Sequence, residues 1–133
     1  MRVLVCGSRD WDDRFMMGLV LRGFYDKYPD LAIIEGCARG ADHLAEEFAA
    51  QFNLPDIHFP ALWDDYPKHL KWRAGHDRNI RMLDEGKPDY VVAFKDGLLP
   101  SLEKGGTEHM VKISRQAGIP VMVVAHGWRS QEI

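Results

Sequence analysis

Apolar positions fall into two regimes along the chain. Some form short, nearly unbroken runs; others recur every three or four residues. The runs are "RVLVC" (2–6), "LAIIE" (31–35), "IHF" (57–59), "DYVVAF" (89–94) and "PVMVV" (120–124). Short runs rich in β-branched residues predict strands covered on both faces. The stretches between them carry helical spacing. In residues 12–28, Phe15, Met16, Leu19, Val20 and Phe24 recur at that spacing, Asp12 and Asp13 suit a helix N-terminus, and Pro29 ends the pattern. In residues 43–52, Leu44, Phe48 and Phe52 stand four apart. Residues 71–85 read as a polar-faced helix ended by Gly86 and Pro88, and residues 107–117 as a last helix closed by Gly118. Residues 60–70 read as a long loop.

Strands therefore alternate with helices. That pattern predicts an α/β fold: a Rossmann-like, doubly wound, mostly parallel sheet of about five strands flanked by helices. The length of 133 residues fits a single domain, 1–133, and no linker or repeat divides it. Ligands of such sheets bind outside the carboxyl ends of the strands. Three strand-to-helix loops there are polar and rich in glycine: "GSRDW" (7–11), "GCARGAD" (36–42) and "KDGLLPSLEKGGT" (95–107). Glycine lets backbone N–H groups approach a ligand, and helix N-termini attract anions. Candidate phosphate contacts are Gly7, Ser8, Arg9, Gly36, Arg39, Gly40, Gly105, Gly106 and Thr107. Each loop alone is also ordinary turn chemistry; the convergence of three favours a phosphate or nucleotide site.

The segment "WDDYPKHLKWRAGHDRNIR" (63–81) interleaves aromatic and basic residues. Aromatic rings stack on bases and arginine forks match phosphates, so Arg78 and Asn79 join the candidates, with Trp11 or Trp63 as a base-stacking ring. The lysines of this segment read as a solvated helix face. Net charge is −3 and the isoelectric point is near 6.0, which argues against a partner held by a global basic field, duplex nucleic acid above all. Cys6 and Cys37 form neither a disulfide framework nor a metal motif, and read as small buried residues. The first apolar run is too short for a signal peptide or a membrane span, so a cytoplasmic protein is expected. Neither G-x-G-x-x-G nor G-x-x-x-x-G-K-[ST] is present. The six histidines lack zinc spacing, so neither a cofactor nor a metal is expected.

"VCGSRDW", "EGCARGADHLAEEFA", "AGHDRNIRM" and "GGTEHMVKISRQAGIPV" occur in the order seen in the SLOG superfamily, the relatives of the plant LOG enzymes and of DNA-processing protein A. Over about residues 2–124 the chain resembles the YpsA-related subfamily of bacterial and phage proteins. The resemblance implies a Rossmann-like sheet and a pocket for a nucleotide or nucleotide-derived ligand. From the LOG enzymes it implies phosphoribohydrolase-like cleavage of a base from a ribose monophosphate, and a homodimer built through helices beside the pocket. Arg78 resembles the LOG arginine, and Gly105–Gly106–Thr107 the LOG phosphate loop.

The chain departs from that pattern at the acid. LOG enzymes carry a glutamate three residues past the threonine, where this chain has Met110. Glu108 is two positions earlier, roughly 200° away around a helix, so it is expected to favour the helix N-terminus rather than act as the acid. Glu35, at the end of a strand, is the alternative catalytic carboxylate; the other reading of Glu35 is structural. A non-enzymatic nucleotide sensor or sponge is the alternative function. Single-stranded DNA binding, as in DNA-processing protein A, would need an extended basic groove.

Overall fold

The structure, a computed structural model, describes residues 1–98 and 105–126. Of the expected loop 95–107, residues 99–104 lie outside the described residues. One parallel sheet holds five strands: β1 (Arg2–Gly7), β2 (Ala32–Glu35), β3 (Asp56–His58), β4 (Tyr90–Phe94) and β5 (Val121–Val124). Their order is β3-β2-β1-β4-β5. The chain winds outward from β1 to β3, then crosses back to lay β4 on the other side of β1. Strand order reverses between β1 and β4, which is the Rossmann-like, doubly wound plan.

Among the described residues, four helices cover the sheet: α1 (Arg14–Lys27), α2 (Ala41–Gln51), α3 (Lys71–Asp84) and α4 (Gly106–Gln116). The period of two along each strand divides the core between them. Val3, Val5, Ile33, Val92 and Phe94 pack with Met16, Met17 and Leu21 of α1 and with Leu44 and Phe48 of α2. Their neighbours Leu4, Cys6, Ile34, Val91 and Ala93 pack with Met82 of α3 and with Met110 and Val111 of α4. Both faces are buried along β1, β2 and β4, which is why those strands read as nearly unbroken apolar runs. At the edges, β3 is only partly covered and Met122 and Val123 of β5 are exposed, against the expectation of cover on both faces. Each fully buried aliphatic side chain contributes about 1.5–3 kcal/mol.

Three details differ from the sequence pattern. On α1 the buried residues are Met16, Met17 and Leu21, while Phe15 and Leu19 are exposed. Helix α2 starts at Ala41 rather than at residue 43, because Gly40 turns the chain and the Ser8 carbonyl accepts the Ala41 N–H. The loop 60–70 contains two 3-10 turns, Trp63–Asp65 and Lys68–Leu70, too short to leave a periodic signal. Among the described residues, no helix is long and apolar enough to cross a membrane.

Candidate functional site

The switch point between β1 and β4 opens into a cleft, and backbone contacts fix its walls. The Ser8 N–H donates to the Phe94 carbonyl of β4 at 2.9 Å. The Ser8 carbonyl then accepts two N–H groups, Trp11 at 3.2 Å and Ala41 at 3.1 Å. The β2–α2 loop is thereby pressed onto the β1–α1 loop. Only glycine permits the approach at position 40: its φ is 76°, and a Cβ there would lie 2.3 Å from the Ser8 carbonyl oxygen.

Arg78 of α3 ties the walls together. It is 8% exposed, and its Nη1 donates to the Gly36 carbonyl while its Nε donates to Asn79 Oδ1 at 3.1 Å. Asn79 Nδ2 in turn donates to the Gly106 carbonyl at 2.9 Å. One chain of hydrogen bonds thus joins the end of β2, α3 and the first turn of α4. Gly36 makes room for it, since a Cβ would meet Arg78 Nη1 at 2.3 Å. Burial lowers the guanidinium's proton affinity, and Asp42 opposes that effect.

The cleft has two lobes. The inner lobe, about 540 Å³, is lined by Gly7, Ser8, Asp42, Lys95 and Gly105–Thr107, and by Lys71, Trp72, His76 and Asn79 on the α3 side. The outer lobe, about 600 Å³, adds Gly36, Cys37, Arg39, Pro60 and Ala61. Arg9, Ala38, Trp63 and Arg78 line both. The Arg9 guanidinium lies over the Trp63 ring, 5.6 Å from its centroid. Cationic side chains therefore stand beside aromatic faces, an arrangement suited to a ligand with both a phosphate and a flat ring.

Among the described residues, Asp42 is the carboxyl group that lines the inner lobe. Its Oδ2 accepts the N–H groups of Gly36 at 3.0 Å and Ala38 at 3.3 Å. Burial pushes its pKa up to about 7; Arg78 pulls it down and Glu35 adds to the rise. Burial also depresses the proton affinity of His76, whose ring stacks on His109 with centroids 3.9 Å apart. Lys95 Nζ reaches both oxygens of buried Glu108, at 2.8 and 2.7 Å.

Most of the residues singled out from sequence meet here. Gly7, Ser8, Arg9, Gly36, Arg39, Arg78, Asn79, Gly105, Gly106, Thr107 and Trp63 all line one lobe or both. Gly40 supports the wall from behind. Trp11 does not line the cleft: it is 2% exposed, packed against Phe94 and stacked on His126. Its ring is part of the core, away from any base in the cleft. Glu35 also lines neither lobe. It is fully buried, and shares its strand face with Ile33 rather than with Ile34. Its oxygens take His58 Nδ1 at 2.7 Å and the Cys37 N–H at 3.3 Å.

Cys37 itself is exposed, in a left-handed conformation with φ 61°, rather than buried as the sequence suggested. Its thiol is pushed up to about 12, by burial first and then by Glu35, so it is a poor nucleophile at neutral pH. Burial likewise raises the Cys6 thiol. The sequence reading missed Asp42, Lys71, Trp72, His76 and Lys95. Asp42 and Lys95 carried a usable signal, since each follows a strand within its loop or opens the next helix.

Residues 1–66 match the family described as YspA, cpYpsA-related SLOG family. The gene 61 protein of Mycobacterium phage D29 is 36% identical over 128 residues, covering 91% of this chain and 94% of the phage protein. Among solved structures, DNA processing protein A (DprA) from Streptococcus pneumoniae superposes with a TM-score of 0.69 at 19% identity. That match covers 92% of this chain and 49% of DprA, so the chain spans about half of that protein. The UDP-GlcNAc 2-epimerase from Neisseria meningitidis, solved bound to UDP-GlcNAc, has a TM-score of 0.56 at 16% identity, covering 92% of this chain and 32% of the epimerase.

Proposed function

This chain belongs to the YspA, cpYpsA-related SLOG family, and we propose that its cleft binds a nucleotide or nucleotide-derived phosphate. The observation that carries the reading is the lining of one cleft at the β1/β4 switch point: Arg9, Arg78, Lys71 and Lys95, the first turn of α4, and the rings of Trp63 and Trp72. The phosphate sits at Gly105–Gly106–Thr107, at the N-terminus of α4 and the positive end of its dipole. Arg78 supplies a preorganised counter-charge. Trp63, 39% exposed and already faced by Arg9, offers its free surface to a base.

Titration calorimetry with nucleoside monophosphates, cyclic nucleotides and ADP-ribose tests this reading. Binding that is lost in Arg78→Ala and retained in Phe15→Ala, on the exposed face of α1, is the expected result. No heat with any of these ligands would reject it.

A second reading is N-glycosidic cleavage of the bound nucleotide. Asp42 favours it, because a carboxyl whose pKa lies near 7 can hold or release a proton at neutral pH. Glu108 does not serve, being committed to Lys95. Chromatography of nucleoside monophosphates incubated with the protein separates the two: released base that vanishes in Asp42→Asn marks an enzyme, and tight binding without release marks a sensor.

A further inference from the structure

On the α1/α2 face of the sheet, behind the outer lobe, a second group of polar side chains converges. Glu35 ends β2 and is in register with His58 of β3. Asp56 lies two residues before His58, on the same strand face. Glu46 reaches the group from α2. One donor atom from each of these four residues lies within 4.8 Å of the other three. The set mixes an imidazole with three carboxylates, drawn from three separate elements.

We propose that Glu46, Asp56 and His58 bind a divalent cation of the zinc class, with Glu35 as the residue that positions His58. Several independent features point there. Glu35, fully buried, holds His58 Nδ1 at 2.7 Å, which leaves Nε2 directed to Asp56, 3.7 Å from its Oδ2. A carboxylate that fixes one imidazole nitrogen while the other takes a metal is the usual outer-shell arrangement of zinc histidines. Asp56 Oδ1 is a buried oxygen with no hydrogen-bond donor among the described residues. Buried oxygens rarely stay without a partner, and a cation would supply one. Three carboxylates face one imidazole, and among the described residues no lysine or arginine pairs with any of the three.

The donor atoms lie within 4.8 Å of one another, with His58 Nε2 and Asp56 Oδ2 3.7 Å apart. Zinc bonds of about 2.0–2.2 Å put tetrahedral donors roughly 3.4 Å apart. Glu46 and His58 are exposed, and closing the remaining distance on binding falls to them. Water takes the open position. This site is chemically distinct from the nucleotide cleft, and Glu35, which also holds Cys37 of the outer lobe, stands between the two.

The test is calorimetric titration of zinc chloride into the full chain after chelator treatment, read together with the melting temperature. One equivalent of zinc, with a raised melting temperature, is expected for the native sequence. Glu46→Gln and Asp56→Asn should each weaken zinc binding by roughly 10–100-fold, and so should Glu35→Gln, the scale found for outer-shell partners. Glu46 is exposed, so its variant keeps the fold. His43→Ala, removing an exposed histidine paired with Glu47 on α2, should leave the affinity unchanged. Zinc binding of equal affinity in Glu46→Gln and Asp56→Asn, its loss in His43→Ala, or no zinc heat at all would overturn the proposal.

Discussion

Glu35 and Gly36 are neighbours in sequence, yet they belong to two regions of opposite character. Gly36 opens into a cleft lined by Arg9, Arg39, Arg78 and Lys95. Glu35 points into a pocket of carboxylates shared with Asp56 and Glu46. The covalent distance between the regions is one peptide bond. What separates them is the strand's period of two, which gives successive residues opposite faces until the sheet ends. Charge sorting at a sheet edge therefore follows from pleat parity, and net charge says little about it: a chain at −3 overall still concentrates cations in one cleft.

Arg78→Ala is the hardest blow to the cationic side. It removes the buried charge and strands the Gly36 carbonyl, so nucleotide affinity should fall roughly 100-fold. Stability should fall by about 1–3 kcal/mol in urea titration, the scale of an unsatisfied buried acceptor. Zinc binding at the anionic side should hardly change; if it fell in parallel, the two regions would be one unit.

Trp63→Leu comes next. Losing one stacked base costs about 1–3 kcal/mol, so affinity should fall by about tenfold in calorimetry. Inorganic phosphate should bind the variant as before, since the ring serves the base alone.

A third test uses pH. The folded chain keeps a proton on Asp42 up to about pH 7, whereas a free aspartate releases it near 3.8. The native state thus binds more protons than the unfolded chain between those values. This contribution to stability is fully present below about pH 4 and is lost as pH rises toward 7. Anion affinity should decline by several-fold as the Asp42 charge develops above that point. Asp42→Asn should flatten both profiles relative to the native chain.

The mildest effect is expected from Glu108→Gln. It frees Lys95 to meet the ligand, and affinity should rise by about two- to threefold, the scale of a partly exposed ion pair. A fall in nucleotide affinity would mean that the pair itself shapes the cleft.

The sheet was legible because burial on both faces leaves a signal that composition cannot hide. "RVLVC" and "YVVAF" have few polar positions and can scarcely be anything else. The convergence of loops was legible too, since strand direction puts every strand-to-helix loop on one edge. Side-chain direction within those loops was not. Trp11 and Trp63 both follow a strand at short range, but one packs on Phe94 and the other meets Arg9. Nothing local distinguishes them; the choice is made by Phe94, 83 residues away from Trp11 in sequence (94 − 11). Asp42 passed unnoticed at the end of "GCARGAD"; it sits in the first turn of α2 and accepts two backbone N–H groups. Its second identity as the cleft's carboxyl arises from Arg78, on a helix the sequence could place but not orient. Glu35 was read by its position at a strand end, where parity rather than proximity decides which side it serves.

The Ser8 carbonyl, which accepts the amides of both Trp11 and Ala41, has a consequence for motion. A single oxygen is the hinge pin of two loops. One bond closes the turn of its own loop and the other anchors the β2–α2 loop, so a swing that carries Ser8 outward also releases the Ala41 amide. In hydrogen–deuterium exchange the Ala41 amide should then open at least as readily as that of Trp11, and a ligand that holds the Ser8 loop in place should slow both.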